Sequence, residues 1–574
     1  MDRRRQTFIF SYKSQHLSKV NPLKNATAFV ILLVLFFHES RSQSHEIQIT
    51  VNAAIITDTI EPIWNGIGGA TGMVLTPQGE RLLQRIVNSS PYPFYKRLWG
   101  ITSTGTAVPF TAEADWGSTN VYQVDKNGNS FYDFTLFDQI FDIALKGNVI
   151  PIVHLGLMPD SLSSAPDSIP HTSENLIRYP PKDFNKWYDL IYAIVNHCVE
   201  RFGKENVVKW KWELWNEPDI TNYWMGSEED YFKMYDYTAA AVKSVLPKGQ
   251  IGGNSVTQSI ERGTPRLIRF VEHCMSGKNY KEGSVGAPLD FITFHLKGTN
   301  FAISKLGNFT SEKLAAGLPK FSPSLAFILE CATTNLSKIA AIPGTAGIPV
   351  YITEGDIDIG LNVTTTENPA VDYRNTEYHP VFQCAFAKEM LDLASTYPAN
   401  PIKCLVFDGL FNPGFRIFEG QRTLFTAEEI EKPVFNSFRL LGKLGTQRVQ
   451  LECSEKSTID GIATRSENKI QVMIYNYNEN VDDRESKKVQ LSVTLPSGSY
   501  RLTHYRIDEN HSNAYTIWKK MGRPYNPNEA QLKQIKDRQG LELLETEKVI
   551  KVKNNKATIP VEMPHHSVSL LVFE

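Results

Sequence analysis

The stretch that decides the fold is Trp210–Asp219, WKWELWNEPD. Trp210 and Trp212 alternate with Lys211 and Glu213, the period-two pattern of a β-strand, and the run delivers Asn216 and Glu217 where that strand should end. Pro218 cannot donate a ladder hydrogen bond, so it is expected to stop the strand just after Glu217. Working outward, seven more short apolar runs share this character: IWNGIGGAT (63–71), YKRLWGI (95–101), NVIPIVHLGL (148–157), GQIGGNSV (249–256), PLDFITFHL (288–296), IPVYITEG (348–355) and KCLVFDGLF (403–411). Between them lie stretches such as FNKWYDLIYAIVNHCVERFG (184–203), whose apolar residues recur at helical spacing. Eight strands alternating with helices predict an α/β chain folded as a (β/α)8 TIM barrel over residues 61–430.

After about residue 430 the pattern changes. KIQVMIYNYNEN, KVQLSVTLPSGSYRLTHYRID and ATIPVEMPHHSVSLLVFE alternate apolar and polar residues between turn signals, with one helix expected in NEAQLKQIKDRQG. Residues 431–574 are therefore expected to form an antiparallel β-sandwich, joined by an N-terminal strand within 43–60. At the N-terminus six basic residues precede the twelve-residue apolar run Ala26–Phe37, too short to span a bilayer comfortably and suited to a signal peptide over 1–42. Cleavage near Gln43 is the expected outcome, with an uncleaved membrane anchor as the alternative.

Removing residues 1–42 takes seven basic and two acidic side chains from 60 and 62, leaving 53 against 60, a net charge near −7 with neutral His. Such an acidic chain is a poor partner for nucleic acid. Six scattered cysteines (198, 274, 331, 384, 404, 453) show no zinc spacing, and no metal or cofactor is expected. GIGGATG (66–72) lacks the helix and ribose-binding acid of a dinucleotide loop. Secretory export would make N-glycans possible at the sequons Asn88, Asn308, Asn335, Asn362 and Asn510.

Reactive groups of a barrel sit where its strands end. Glu217 follows the fourth strand and Glu354 closes the seventh, so two carboxylates distant in sequence converge on one mouth. Paired carboxylates flanking a bond are the machinery of glycoside hydrolysis. WNEP on strand four with a glutamate on strand seven resembles the clan of retaining (β/α)8 glycosidases. KWKWELWNEPD, LDFITFHLKG, PVYITEGD and GQRTL resemble, more narrowly, the iduronidase branch of glycoside hydrolase family 39, from about residue 46 to the C-terminus. The resemblance implies Glu217 as acid/base and Glu354 as nucleophile. It also implies that Lys297 and Arg422, helped by the backbone of Gly360, hold a uronate carboxylate, that Asp408 meets sugar hydroxyls, and that Arg97 keeps Glu354 ionised. Asn216 can donate to the sugar 2-OH.

The activity so implied is release of terminal α-L-iduronate from dermatan and heparan sulfate in the lysosome. The rival is a β-xylosidase of the same family, which shares both glutamates without needing Lys297 or Arg422. A third reading is a silent glycan-binding homologue, motivated by Trp99 standing where the family shows histidine and by Thr353 and Gly355-Asp356-Ile357 around the nucleophile. Each residue also has a plainer reading. Lys297 can be a surface lysine and Arg422 can pair with Glu419. His295, two residues before Lys297 and expected to line the site, and His154 can each be a packed strand histidine. The tryptophans of 210–215 are mostly core, and His565-His566 reads as an exposed strand end.

Overall fold

The eight apolar runs close into a parallel barrel: β1 (Gly66–Ile67), β2 (Phe94–Leu98), β3 (Val149–Leu155), β4 (Lys211–Leu214), β5 (Gln250–Val256), β6 (Phe291–Lys297), β7 (Val350–Asp356) and β8 (Ile402–Phe407). Closure is made by β8 pairing with β1, Val406 beside Gly66 and Phe407 beside Ile67. A Cβ on Gly66 would fall 2.5 Å from the Leu405 carbonyl, so glycine is what lets β1 close the ring. Each strand is followed by a helix: α1 (Pro77–Val87), α2 (Thr135–Ala144), α3 (Phe184–Phe202), α4 (Glu228–Val245), α5 (Gly263–Ser276), α6 (Leu325–Ala340), α7 (Tyr378–Thr396) and α8 (Pro433–Leu441). Sequence caps start several of them; Ser227 and Asp230 form a reciprocal capping box on α4. This computed structural model describes residues 46–69, 71–107, 117–298, 323–412, 414–455 and 458–574. The expected signal peptide and the Asn308 sequon lie outside them.

Strand alternation divides the barrel interior into a floor and a mouth. Tyr95, Ile152, Phe291, Tyr351, Cys404 and Val406 pack together as an apolar floor. Two residues further along the same strands stand Arg97, His154, Thr293 and Asp408, so the polar layer occupies the C-terminal end. The outward face carries Trp212, Leu214, Ile292, Phe294, Val350 and Ile352 into the main core shared with the helices. Trp210, Trp212 and Trp215 are all buried there.

Apart from a two-stranded hairpin, Tyr122–Val124 with Ser130–Tyr132, the remaining strands form one ten-stranded, mostly antiparallel sheet rather than two separate sheets. Ile47–Thr59 runs antiparallel to Gln447–Cys453 on one side and parallel to Lys487–Thr494 on the other. Strands far apart in the sheet, Gly498–Ile507 and Lys556–Met563, send Leu502, Val561 and Met563 into a single core, so the sheet folds over on itself. Its outer side meets α7, where Lys388 pairs with Asp460 at 2.5 Å and Tyr378 with the His566 ring at 4.8 Å between centroids. His566 is therefore buried, not the exposed strand end expected, and burial pulls its pKa down to about 4.

The helix expected in 528–540 is Glu529–Lys536, and a second, Ala514–Lys520, was not anticipated. The eighth barrel helix also lies past residue 430, inside the segment expected to open the sandwich. Ile47–Glu574 form one compact unit. All six cysteines are unpaired, and no helix of the described residues is long and apolar enough to cross a membrane.

Candidate active site

The acidic residue of WNEP is aimed by backbone geometry, not by Pro218. Strand β4 ends at Leu214, three residues before Glu217, and the turn that follows places Trp215 and Glu217 at φ +66° and +44°. Such conformations are costly for residues with a Cβ and persist where neighbours hold them. Here the Trp215 amide donates to the Leu155 carbonyl at 3.2 Å and the Glu217 amide to the Ser255 carbonyl at 3.0 Å. Glu354 does not close its strand either, since β7 continues to Asp356. A register shift between Ile352 and Glu354 against β6, matched by one between Asn254 and Val256 on β5, marks bulges beside the mouth. The shift brings Glu354 level with His295 and Asp356 level with Lys297.

These elements bring the two glutamates together. Glu217, His295 and Glu354 each offer an atom within 4.8 Å of the others. Some oxygen of Glu217 thus stands within 4.8 Å of one on Glu354, an approach that suits the roughly 5–5.5 Å spacing of retaining enzymes. The two carboxylates have different surroundings. Glu354 Oε1 accepts from Arg97 Nη1 at 2.8 Å, and Lys297 Nζ pairs with Oε2. Burial alone would raise its pKa, but His295, Lys297 and Arg97 outweigh burial and hold the carboxyl well below the usual range. Glu217 Oε1 lies 2.8 Å from His295 Nδ1 and 3.9 Å from Lys297 Nζ, and among the described residues no lysine or arginine stands as close to it as Arg97 and Lys297 do to Glu354.

The other expected residues distribute unevenly. Arg97, Asn216, His295 and Lys297 are at the glutamates, with Asn216 Oδ1 accepting from Arg97 Nη2 at 3.0 Å. His295 is packed, as one of its plainer readings had it, and touches Glu217 as well. Arg422 pairs not with Glu419 but with Asp356 at 3.2 Å and Asp408 at 3.3 Å, and donates to the Asp358 carbonyl. Gly360 lies in the turn after β7 at φ +75°, beside Leu361, whose carbonyl accepts from the Arg422 amide at 3.1 Å. Trp99 stacks on His154 (5.7 Å, 3°), and the Gly100 amide donates to His154 Nδ1 at 2.9 Å. Asn335 is buried inside α6, where its Oδ1 accepts from Thr264 at 2.6 Å; a glycan there does not fit the folded chain, which corrects that sequon. Asn88 and Asn510 are exposed, and Asn362 is half-buried, accepting from Asn412 at 2.8 Å.

Two residues were not assigned a role from sequence. Glu213 is fully buried and receives Arg97 Nε at 2.7 Å. Asp356 is fully buried beside Arg422, and burial raises its pKa to about 7 against the pull of that cation. The signal for both was present: a carboxylate in strand register with a candidate site residue must face the same interior and therefore needs a partner. Glu354, Asp356 and Asp408 also come within 4.8 Å of one another. Lys297 and Arg422 stand among them, so this acidic group is already matched by cations and does not suit a metal.

A (β/α)8 mouth that holds two carboxylates at the retaining spacing, one of them kept ionised, defines a retaining glycoside hydrolase. The sequence profile of glycosyl hydrolases family 39 matches residues 116–542, and the chain belongs to that family. It is 28% identical over 417 residues to a β-xylosidase of Geobacillus stearothermophilus, covering 72% of this chain and 75% of that one. It is 23% identical over 385 residues to human α-L-iduronidase, covering 61% and 54%. A monomeric β-xylosidase of Caulobacter crescentus CB15 shares the fold with a TM-score of 0.72 at 21% identity, over 92% of this chain and 99% of that one. The iduronidase expectation is thus corrected to the family level, with the β-xylosidase rival at least as well supported.

Proposed function

We propose that this chain is an exo-acting β-xylosidase that removes a terminal neutral pentoside with retention. The observation that carries the reading is the state of the two cations meant for a uronate. Lys297 is engaged by Glu354, and Arg422 is enclosed by Asp356, Asp408 and the Asp358 carbonyl. Even with Asp356 neutral, as its raised pKa of about 7 makes it in acid, Glu354 and Asp408 already face the two cations. A sugar carboxylate would therefore enter as an uncompensated buried charge, whereas xylose brings none. Similarity to β-xylosidases supports the same reading.

In this scheme Glu354, held ionised, attacks C1 while Glu217 gives its proton to the departing glycosidic oxygen. The C1–O bond to Glu354 forms as the bond to the leaving group breaks. Glu217 then takes a proton from water, the water oxygen attacks C1, and Glu354 leaves as the carboxylate. Arg97 turns Asn216 so that its amide nitrogen points away from the guanidinium, toward a 2-OH.

A second reading, a terminal α-L-iduronide, is favoured by the presence of Lys297 and Arg422 at this mouth at all. That sugar shares the C1–C4 configuration of a β-xyloside and differs by a carboxylate at C5. Comparing kcat/KM on an aryl β-xyloside and an aryl α-L-iduronide separates them. Faster turnover of the xyloside is expected, with β-xylose as the first product by NMR. A preference for iduronide that vanishes in Lys297→Ala would replace the proposal with the second reading.

We also propose that residues 1–42 direct the chain into the secretory pathway, on the strength of the apolar run Ala26–Phe37; the lysosome as destination rests on the iduronidase resemblance alone. A mature N-terminus near Gln43 is the expected result of sequencing; an intact leader on the exported protein counts against it.

A further inference from the structure

Between the reactive glutamates and the apolar floor runs a chain of hydrogen bonds of which the reaction scheme uses only Arg97, leaving Thr293, Ser255 and Glu213 beneath it without a role. It begins on β6, where Thr293 Oγ1 lies 2.9 Å from Ser255 Oγ and accepts from the Ser255 amide at 3.0 Å. Ser255 Oγ on β5 donates to Glu213 Oε1 at 2.5 Å. Glu213 Oε2 on β4 accepts from Arg97 Nε on β2 at 2.7 Å. Arg97 then reaches two different partners, Glu354 through Nη1 and Asn216 through Nη2. Ser255 is tied into the site a second time, since its carbonyl takes the Glu217 amide, and both residues sit at positive φ, +47° and +44°.

A buried guanidinium facing one carboxylate prefers a bidentate, fork-to-fork pair. Without another anion, Arg97 would turn both of its ends to Glu354. That would rotate the nucleophile, draw charge from its oxygens and release Asn216. Glu213 prevents this by occupying the Nε edge, which leaves a single Nη1 contact for Glu354 and Nη2 for Asn216. Burial without a partner would be prohibitive for Glu213, and Arg97 and Ser255 supply that partner on both oxygens. We propose that Glu213 is a positioning residue that, held by Ser255, divides Arg97 between Glu354 and Asn216 and so sets the orientation and reactivity of the nucleophile. Glu213 lies four residues before Glu217 and acts only through Arg97.

The inference rests on the reading of Glu354 as nucleophile, so Glu354→Gln is run alongside. Its retention of turnover would overturn that reading and, with it, the role of Glu213. The full-length enzyme is assayed on whichever activated aryl glycoside the wild type hydrolyses, recording kcat, KM, the pH profile and the thermal midpoint. Glu213→Gln keeps the shape but removes the charge, and its single acceptor oxygen can serve only one of Ser255 and Arg97. We expect kcat to fall on the order of 10²-fold, the scale set by small misplacements of reacting groups, with KM moving far less. The acid limb of kcat/KM shifts to lower pH, because losing a neighbouring anion favours ionised Glu354 among His295 and Lys297 of β6, Arg97 of β2, Asp356 of its own strand, Asp408 after β8 and Glu217 after β4. A folded Glu213→Gln with wild-type kcat and an unmoved limb overturns the proposal.

Should that variant not fold, Ser255→Ala decides. It leaves the charge in place but removes one of the hydrogen bonds that hold Glu213. A loss of roughly tenfold in kcat supports the proposal, the rate equivalent of one charged hydrogen bond. Wild-type kcat in Ser255→Ala overturns it.

Discussion

Two interiors in this chain are built on opposite principles. The core of the ten-stranded sheet is packed from Ile49, Val472, Ile474, Leu491, Val493 and their neighbours. The upper barrel interior holds Arg97, Glu213, His295, Glu354, Asp356 and Arg422, all nearly as inaccessible to water. Apolar packing is non-directional, and each residue contributes in proportion to its own buried area. Buried charges are costly singly and tolerable only when every partner is in place. The sheet should therefore yield locally and by degrees, while the mouth should fail as a network.

The largest break in that comparison is Glu354→Gln. Turnover should fall roughly 10⁴-fold or more, as for other single losses of a nucleophile. The thermal midpoint should fall as well, because Lys297 and Arg97 lose an anion. The sign follows from the depressed pKa of Glu354: its stabilisation is present above the ordinary glutamate value near 4.3 and is lost as pH falls through the lower folded value. The stability difference between wild type and variant should thus shrink in acid, which calorimetry from neutral pH downward can check.

Glu217→Gln comes next. On a substrate with a poor leaving group its rate should drop about 10²–10⁴-fold, the usual worth of a general acid. On a dinitrophenyl glycoside, which departs without protonation, glycosylation should be little affected. Equal losses in kcat/KM on both substrates, which reports glycosylation and not the later base-assisted step, would remove Glu217 from the acid role.

Leu491→Ala tests the other interior. Emptying that fully buried position should cost about 2–5 kcal/mol of stability and leave kcat per folded molecule unchanged. A change in kcat would show that the sheet and the mouth are coupled more tightly than their separate cores suggest.

Asp356→Asn should give the smallest effect, visible only against pH. The folded pKa of Asp356 is raised to about 7, so the stability tied to its protonated form is complete below the ordinary aspartate value near 3.9 and is lost as pH rises through about 7. Relative to wild type, the asparagine variant should therefore gain in thermal midpoint as pH rises from 4 to 8. A flat difference would mean that Arg422 keeps Asp356 ionised throughout.

Much of this was legible in the chain. Each of the eight apolar runs contains a barrel strand to within a residue, down to the two-residue Gly66–Ile67, because strands buried on both faces read as continuous apolar stretches. Strand position and the resemblance carried by WNEP pointed to the pair Glu217 and Glu354, which the fold brings to one mouth. What escaped were partnerships between segments remote in sequence. The plainer reading of Arg422 paired it with its neighbour Glu419, but the chain after β8 returns across the mouth and lays it against Asp356 and Asp408. Asn335 reads as a sequon, yet α6 turns it inward. His566 lies near a strand end, and α7 covers it.

The sequence by itself determined the barrel, the second sheet, the two carboxylates and the surplus of acid, because periodicity and residue type act over short stretches of chain. Only the tertiary structure decided how far apart the carboxylates stand, which of them is held ionised, and that the cations suited to a uronate are already paired. Those properties depend on distances of a few ångströms between strands far apart in sequence. Coulomb interactions in a buried mouth change steeply over such distances, and residue order alone does not encode them.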